Sequence, residues 1–137
     1  MNLAPIEWLI IVALAGMILA LAVAEYSGSH ARHRDSQRKD DLQLIQTKVT
    51  AYYALYARYP LNLSVLSDLP VSACRDPRGR GTCSQPDYTY KAFKGGTPVT
   101  PASSANCDNQ TTNCDSYSLY TTAMETLPNP YVLSPQP

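Results

Sequence analysis

Side chains able to do chemistry are few in this chain and unevenly placed. Its four cysteines, Cys74, Cys83, Cys107 and Cys114, fall in the C-terminal half, with eight residues between the first two and six between the last two. Such gaps do not match the close pairs of zinc sites, and no histidine accompanies them. An even number in a small, loop-rich segment reads as two disulfides formed in an oxidising compartment, so this part of the chain is expected outside the cytoplasm. Four cysteines allow three pairings. The local one, Cys74–Cys83 with Cys107–Cys114, is preferred over the crossed alternatives.

The remaining polar motifs are weaker. His30 and His33 stand one helical turn apart inside a charge run, where a solvated face is the plain reading. Both are far in sequence from the Ser and Asp residues of the C-terminal half, so no nucleophile–base set is assembled. There is no phosphate-binding glycine loop and no haem-attachment motif, and the chain is expected to be neither an enzyme nor a cofactor carrier. Arg75, Arg78 and Arg80 cluster between two cysteines but read as a solvated loop. With 11 basic and 11 acidic residues the formal charge is zero, and no specific nucleic-acid site is evident. "CDNQTTNC" (107–114), followed by Asp115, concentrates oxygen side chains. Asn62 ("NLS") and Asn109 ("NQT") are glycosylation sequons, and "TPVTPASS" (97–104) suits O-glycans.

The elements that would position these residues follow from hydropathy. Residues 3–24 are almost wholly apolar; these 22 residues make a helix about 33 Å long, enough to cross a bilayer core. "AVA" at 22–24 resembles a signal cleavage site, but no Lys or Arg precedes the apolar run. Glu7 sits near its start. An ionised carboxylate at membrane depth costs a few kcal/mol, about 2.5–3.5 on insertion scales, and such residues usually have a partner and a function. Within residues 1–24 the group of opposite charge is an amino terminus, its own or that of a staggered neighbouring subunit. Snorkelling to the interface is the plainer alternative.

Beyond the apolar run, residues 25–41 are polar all round: Arg32, Arg34, Arg38 and Lys39 against Glu25, Asp35, Asp40 and Asp41. Such a stretch has no core of its own; it bridges through solvent, packs polar faces in an assembly, or unwinds near Gly28. Then Leu42, Ile45, Val49, Tyr52, Tyr56 and Tyr59 recur at alternating spacings of three and four, an amphipathic stripe that Tyr53 and Leu55 widen. No proline lies between Ile6 and Arg58, so a single helix of about 50 residues is permitted, closing at Tyr59-Pro60. A short helical turn over 64–69, a turn at 76–79, strands over 87–93 and 116–124, and a third at 131–133 follow. The fold class is α+β: one long N-terminal helix whose C-terminal half packs on a small antiparallel sheet of two or three strands, stapled by disulfides. The divisions are 1–26, an apolar helix; 27–59, its amphipathic continuation; and 60–137, a small head. The head is roughly 80 residues, a size at which a core alone is marginal. Ten Tyr against one Phe and one Trp suit a thin domain with much exposed surface.

A glutamate near the start, a long apolar run, a glycine nine residues later (Gly16), small residues Ala20, Ala22 and Ala24, and an aromatic at its end (Tyr26) resemble the N-terminal helix of type IV pilins and of the related type II secretion pseudopilins. In that register the mature terminus falls at Leu3, with Met1 and Asn2 as an extension. Met1 and Asn2 are not the basic leader ending in Gly that members carry before processing, and Ala24 stands where many members have a helix-breaking proline. The order Tyr-Pro, Asp-Pro-x-Gly turn, Tyr-x-Tyr and Tyr-rich strand is similar, more loosely, to pseudopilin and some Gram-positive pilin heads.

The resemblance implies that Glu7 neutralises the amine of an adjacent subunit, and that Leu3, Ile6, Leu9, Ile10, Leu14, Gly16 and Ile18 join it in subunit assembly. It implies a chain held in the cytoplasmic membrane by its first helix, then passed by the pilus assembly machinery into an extracellular helical homopolymer. The head would be displayed for adhesion, motility or DNA uptake. Because pseudopilins often hold calcium in a C-terminal loop, Asp108, Asn109, Asn113 and Asp115 are its candidate ligands, although a disulfide-closed polar loop is the preferred reading. The alternatives are a pseudopilin of a secretion system and a membrane-anchored binding module that never polymerises.

Overall fold

A computed structural model describes residues 5–95 and 107–135. One helix, α1 (Pro5–Tyr56), is followed by two 3-10 turns, Leu63–Val65 and Val71–Cys74, and three strands: β1 (Thr89–Phe93), β2 (Ser116–Thr121) and β3 (Tyr131–Leu133). The chain divides into two compact units, Met1–His33 and Arg34–Pro137.

Pro5 opens α1, a first-turn position where its missing N–H is no loss. The helix stops three residues before the expected Tyr59. Ala57 takes φ +53° and its N–H donates to the Tyr53 carbonyl at 2.7 Å, a left-handed cap without the usual glycine. Tyr59 therefore reaches the core from the loop beyond the helix, not from the helix stripe. Its N–H donates to the Cys114 carbonyl at 2.8 Å and its ring is buried.

Within the head, Leu42, Ile45 and Val49 of α1 are fully buried in one cluster with Leu63, Tyr88, Ala92, Tyr117 and Leu119. The stripe does not continue towards the helix end. Tyr52 is half-buried, and Tyr56 and Leu55 are exposed, Leu55 by 79 %. It continues backwards instead. Asp35 and Arg38 extend the same three–four alternation and are each only 1 % exposed. The polar stretch is thus not left to solvent along its whole length.

The strands form one antiparallel sheet in the order β1-β2-β3. Register pairs Tyr90 with Leu119, and Leu119 with Leu133, so β2 is central. Tyr117, Leu119 and Thr121 are buried, and so is Ser118 between them; the strand ends at Thr121. The expected range of 116–124 is therefore three residues too long; beyond Thr121, where the chain has left the sheet, Ala123 is exposed and Met124 buried. Disulfides join Cys74 to Cys83 and Cys107 to Cys114, with Cα separations of 5.1 and 5.3 Å.

The first disulfide closes a tight loop around Asp87. Its Oδ2 accepts the N–H groups of Asp76 (3.0 Å) and Gly81 (2.7 Å). A Cβ on Gly81 would lie 2.6 Å from the Asp87 backbone nitrogen, so glycine is required there by close approach.

Candidate functional site

The assembly residues lie on the first turns of α1. Every large apolar side chain from Ile6 to Val23 is between 47 % and 71 % exposed, Ile6, Leu9, Ile10, Leu14 and Ile18 among them. They point to all sides of the helix, since 18 consecutive positions make about five turns. An 18-residue window has mean hydropathy 2.5, and none of it is buried by the rest of the chain. By length and composition the helix can cross a membrane. Glu7 is in the first turn, where the helix dipole favours a carboxylate. Leu3 lies outside the described residues. A Cβ on Gly16 would meet nothing within 4 Å among the described residues, although a glycine inside a helix costs about 1 kcal/mol relative to alanine.

The head holds a second constellation that the sequence reading did not single out. Arg38 sits at the centre of a carboxylate cage. Its Nε and Nη2 donate to Asp76 at 2.6 and 3.1 Å, and Nη1 donates to Asp35 at 2.8 Å and Glu125 at 3.0 Å. Asp35 also accepts the N–H groups of Glu125 and Thr126 and the Thr126 hydroxyl, the last at 2.7 Å. Arg34 forks onto Glu125 at 2.7 and 2.6 Å, and Arg78 reaches the same carboxylate at 3.1 Å. The cage ties α1 to the disulfide loop and to the β2–β3 connection.

Its electrostatics follow from the bonds. Burial alone would raise the Asp35 pKa, but the N–H of Glu125, with Thr126 and Arg38, holds it well below the usual carboxylate range. Asp76 is lowered too, against its burial, by Arg38 and the N–H of Arg78. Glu125 is held at about 2 by its bond from Arg34, against its desolvation. The Asp76 bond raises Arg38 above the ordinary guanidinium range. Every member is charged at neutral pH. A sequence signal did exist: 35, 38, 42, 45 and 49 form one unbroken stripe.

The other candidates are not brought together. Arg78 joins the cage, whereas Arg75 donates to the Gly81 carbonyl at 3.4 Å and Arg80 is exposed. His30 and His33 are exposed, with the His30 ring edge-on to Tyr26 at 4.4 Å.

In the Cys107–Cys114 loop, Asp108 Oδ1 accepts the N–H groups of Gln110, Thr111 and Thr112 at 2.8–2.9 Å, and Oδ2 accepts the Thr111 hydroxyl. Those bonds, from Thr112 above all, hold the Asp108 pKa well below its usual range. Asn109 Oδ1 accepts the Cys114 N–H at 2.9 Å, its Nδ2 donates to the Tyr59 carbonyl at 2.7 Å, and Asp115 accepts the Gly95 N–H. The proposed calcium ligands are thus engaged with backbone, Asn113 being exposed. No group of three or more His, Cys, Asp or Glu suited to a metal is found among the described residues. Of the sequon asparagines, Asn62 is exposed with no capping bond, while Asn109 has its amide committed as above. The 97–104 stretch lies outside the described residues.

No protein-family model, curated protein or solved structure matches this chain.

Proposed function

We propose that this protein is the structural subunit of a type IV pilus-like filament. The observation that carries the reading is the helix from Ile6 to Val23, apolar on every side but for Glu7 in its first turn, with its large apolar side chains exposed. At about 25 cal/mol per Å², such a surface must be taken from water by something else. A bilayer does so before assembly, and the equivalent helices of other copies do so afterwards. The Gly16 position supports helix-to-helix approach, since no described side chain of this chain occupies its space. The disulfide-stapled head fits an oxidising exterior. Glu7, in the first turn, takes the role its family resemblance implies: it meets the amine of the adjacent subunit as that subunit enters.

The test is electron microscopy of surface material from cells expressing the chain or its Glu7→Gln variant. Long filaments containing this chain are expected from the parent. Loss of filaments, with the protein retained in the membrane fraction, is expected from the variant. Normal filaments from Glu7→Gln would remove the role given to Glu7. Short or absent filaments from the parent would favour a secretion pseudopilin or a non-polymerising membrane anchor.

A further inference from the structure

Two N-glycosylation sequons stand apart from the apolar helix and the carboxylate cage, Asn62-Leu63-Ser64 and Asn109-Gln110-Thr111. A sequon is used where its asparagine amide and the hydroxyl two residues on are open on a surface loop outside the cytoplasm. The two disulfides argue for that compartment in both cases. The fold has to tell the sequons apart.

Asn62 meets the demand. Asn62 and Ser64 are exposed, while Leu63 between them is buried and anchors the turn in the core. The Asn62 backbone is extended, with φ −140° and ψ 152°, and its side chain makes no capping bond to the 3-10 turn that follows. Asn109 is the opposite case. It is half-buried at φ +57° in the loop closed by Cys107–Cys114. Its Nδ2 donates to the Tyr59 carbonyl at 2.7 Å, and its Oδ1 accepts the Cys114 N–H at 2.9 Å. The Thr111 hydroxyl donates to Asp108 at 2.8 Å. Both groups that a glycosyl transferase must engage are therefore already bonded within the head.

We propose that Asn62 is the N-glycan acceptor of this chain and that Asn109, with the same sequon, is not. The surroundings of Asn62 add a second reason. Leu61 and Val65 flank the sequon, both exposed, and Val65 lines a groove with Leu55 and Tyr56, exposed as well. A hydrophilic glycan at the edge of this apolar patch screens it from other surfaces. The donor is an oligosaccharide linked to a polyprenyl pyrophosphate. Asn62 Nδ2 bonds to the anomeric carbon of the sugar as the bond from that carbon to the pyrophosphate oxygen breaks. The pyrophosphate leaves with the electron pair, and the amide gives one proton to a base of the transferase. The proposal stands on the head alone and holds whether or not the chain forms a filament.

The test incubates the full chain, folded and disulfide-bonded in mild detergent, with that donor and an oligosaccharyltransferase that accepts any Asn-x-Ser/Thr sequon. Peptide mapping by mass spectrometry is expected to find a single glycan, on Asn62. Transfer should be lost in Asn62→Gln and equally in Ser64→Ala; both positions are exposed, so neither change disturbs the core. The reduced and alkylated chain should accept a second glycan, at Asn109. Transfer to Asn109 in the folded chain, or an unmodified Asn62 there, would overturn the assignment. So would an unmodified Asn62 in chain recovered from the cells that make it. An Asn109 that stays unmodified in the reduced chain would overturn the fold as the reason for its exclusion.

Discussion

Replacing Arg38 with methionine keeps the bulk of the side chain and removes the one cation that touches three carboxylates. Four hydrogen bonds disappear, at 2.6, 2.8, 3.0 and 3.1 Å. The partners do not suffer equally. Glu125 keeps Arg34 and Arg78, and Asp35 keeps the N–H groups of Glu125 and Thr126. Asp76 keeps the Arg78 N–H, at 2.9 Å, but loses both guanidinium bonds, from Nε and Nη2 of Arg38. Removing one member of a buried ion pair costs about 3–5 kcal/mol; the surviving donors place Arg38→Met near the lower end, about 3 kcal/mol. Against a total stability of about 5–15 kcal/mol for a domain, that is a large share.

The pH dependence gives the sharper signature. Asp35, Asp76 and Glu125 have folded pKa values below their ordinary ones. Their contribution to the parent is complete above the ordinary carboxylate range and is lost as pH falls through about 4 towards 2 and below. In Arg38→Met the carboxylates are less depressed, so acid removes less, and the two stability curves should converge on acidification. Urea unfolding of the full chain in mild detergent, followed by tyrosine near-UV circular dichroism from pH 7 to pH 3, reads both quantities. A loss under 1 kcal/mol at pH 7, or a difference that does not shrink in acid, would refute the electrostatic account of the cage.

Two further substitutions test local geometry. Ala57→Gly relieves a left-handed residue at φ +53° and should raise stability by up to about 1 kcal/mol in the same urea titration; a lower midpoint would contradict the cap. Gly81→Ala places a Cβ 2.6 Å from the Asp87 backbone nitrogen and should lower stability by about 1–3 kcal/mol through overpacking, whereas an unchanged midpoint would show that the loop yields.

What the sequence could and could not reveal divides along the range of the interactions. The apolar run, its capacity to span a bilayer and the absence of proline between Ile6 and Arg58 are local properties of composition, and they permit the one helix that α1 is. Period-two alternation was enough to locate β1 and β2, and flanking prolines fenced β3, although alternation did not foretell that Ser118 of β2 is buried as well. The buried stripe at Leu42, Ile45 and Val49 was legible from its spacing of three and four. Its continuation into Asp35 and Arg38 keeps the same spacing, but spacing alone does not show burial there, because a charged residue is buried only when its partners arrive. Asp76 and Glu125 lie 38 and 87 residues from Arg38, too far for spacing to announce. The helix end was missed because Ala57, unlike glycine, carries no sign of a positive φ, and it is Tyr59, held at the Cys107–Cys114 loop, that sits in the core. The sequence by itself determined an apolar stretch long enough to cross a membrane as a helix, since hydropathy is summed residue by residue. Only tertiary structure decided which charges remain on the surface, because desolvation and pairing depend on what the fold places beside each group.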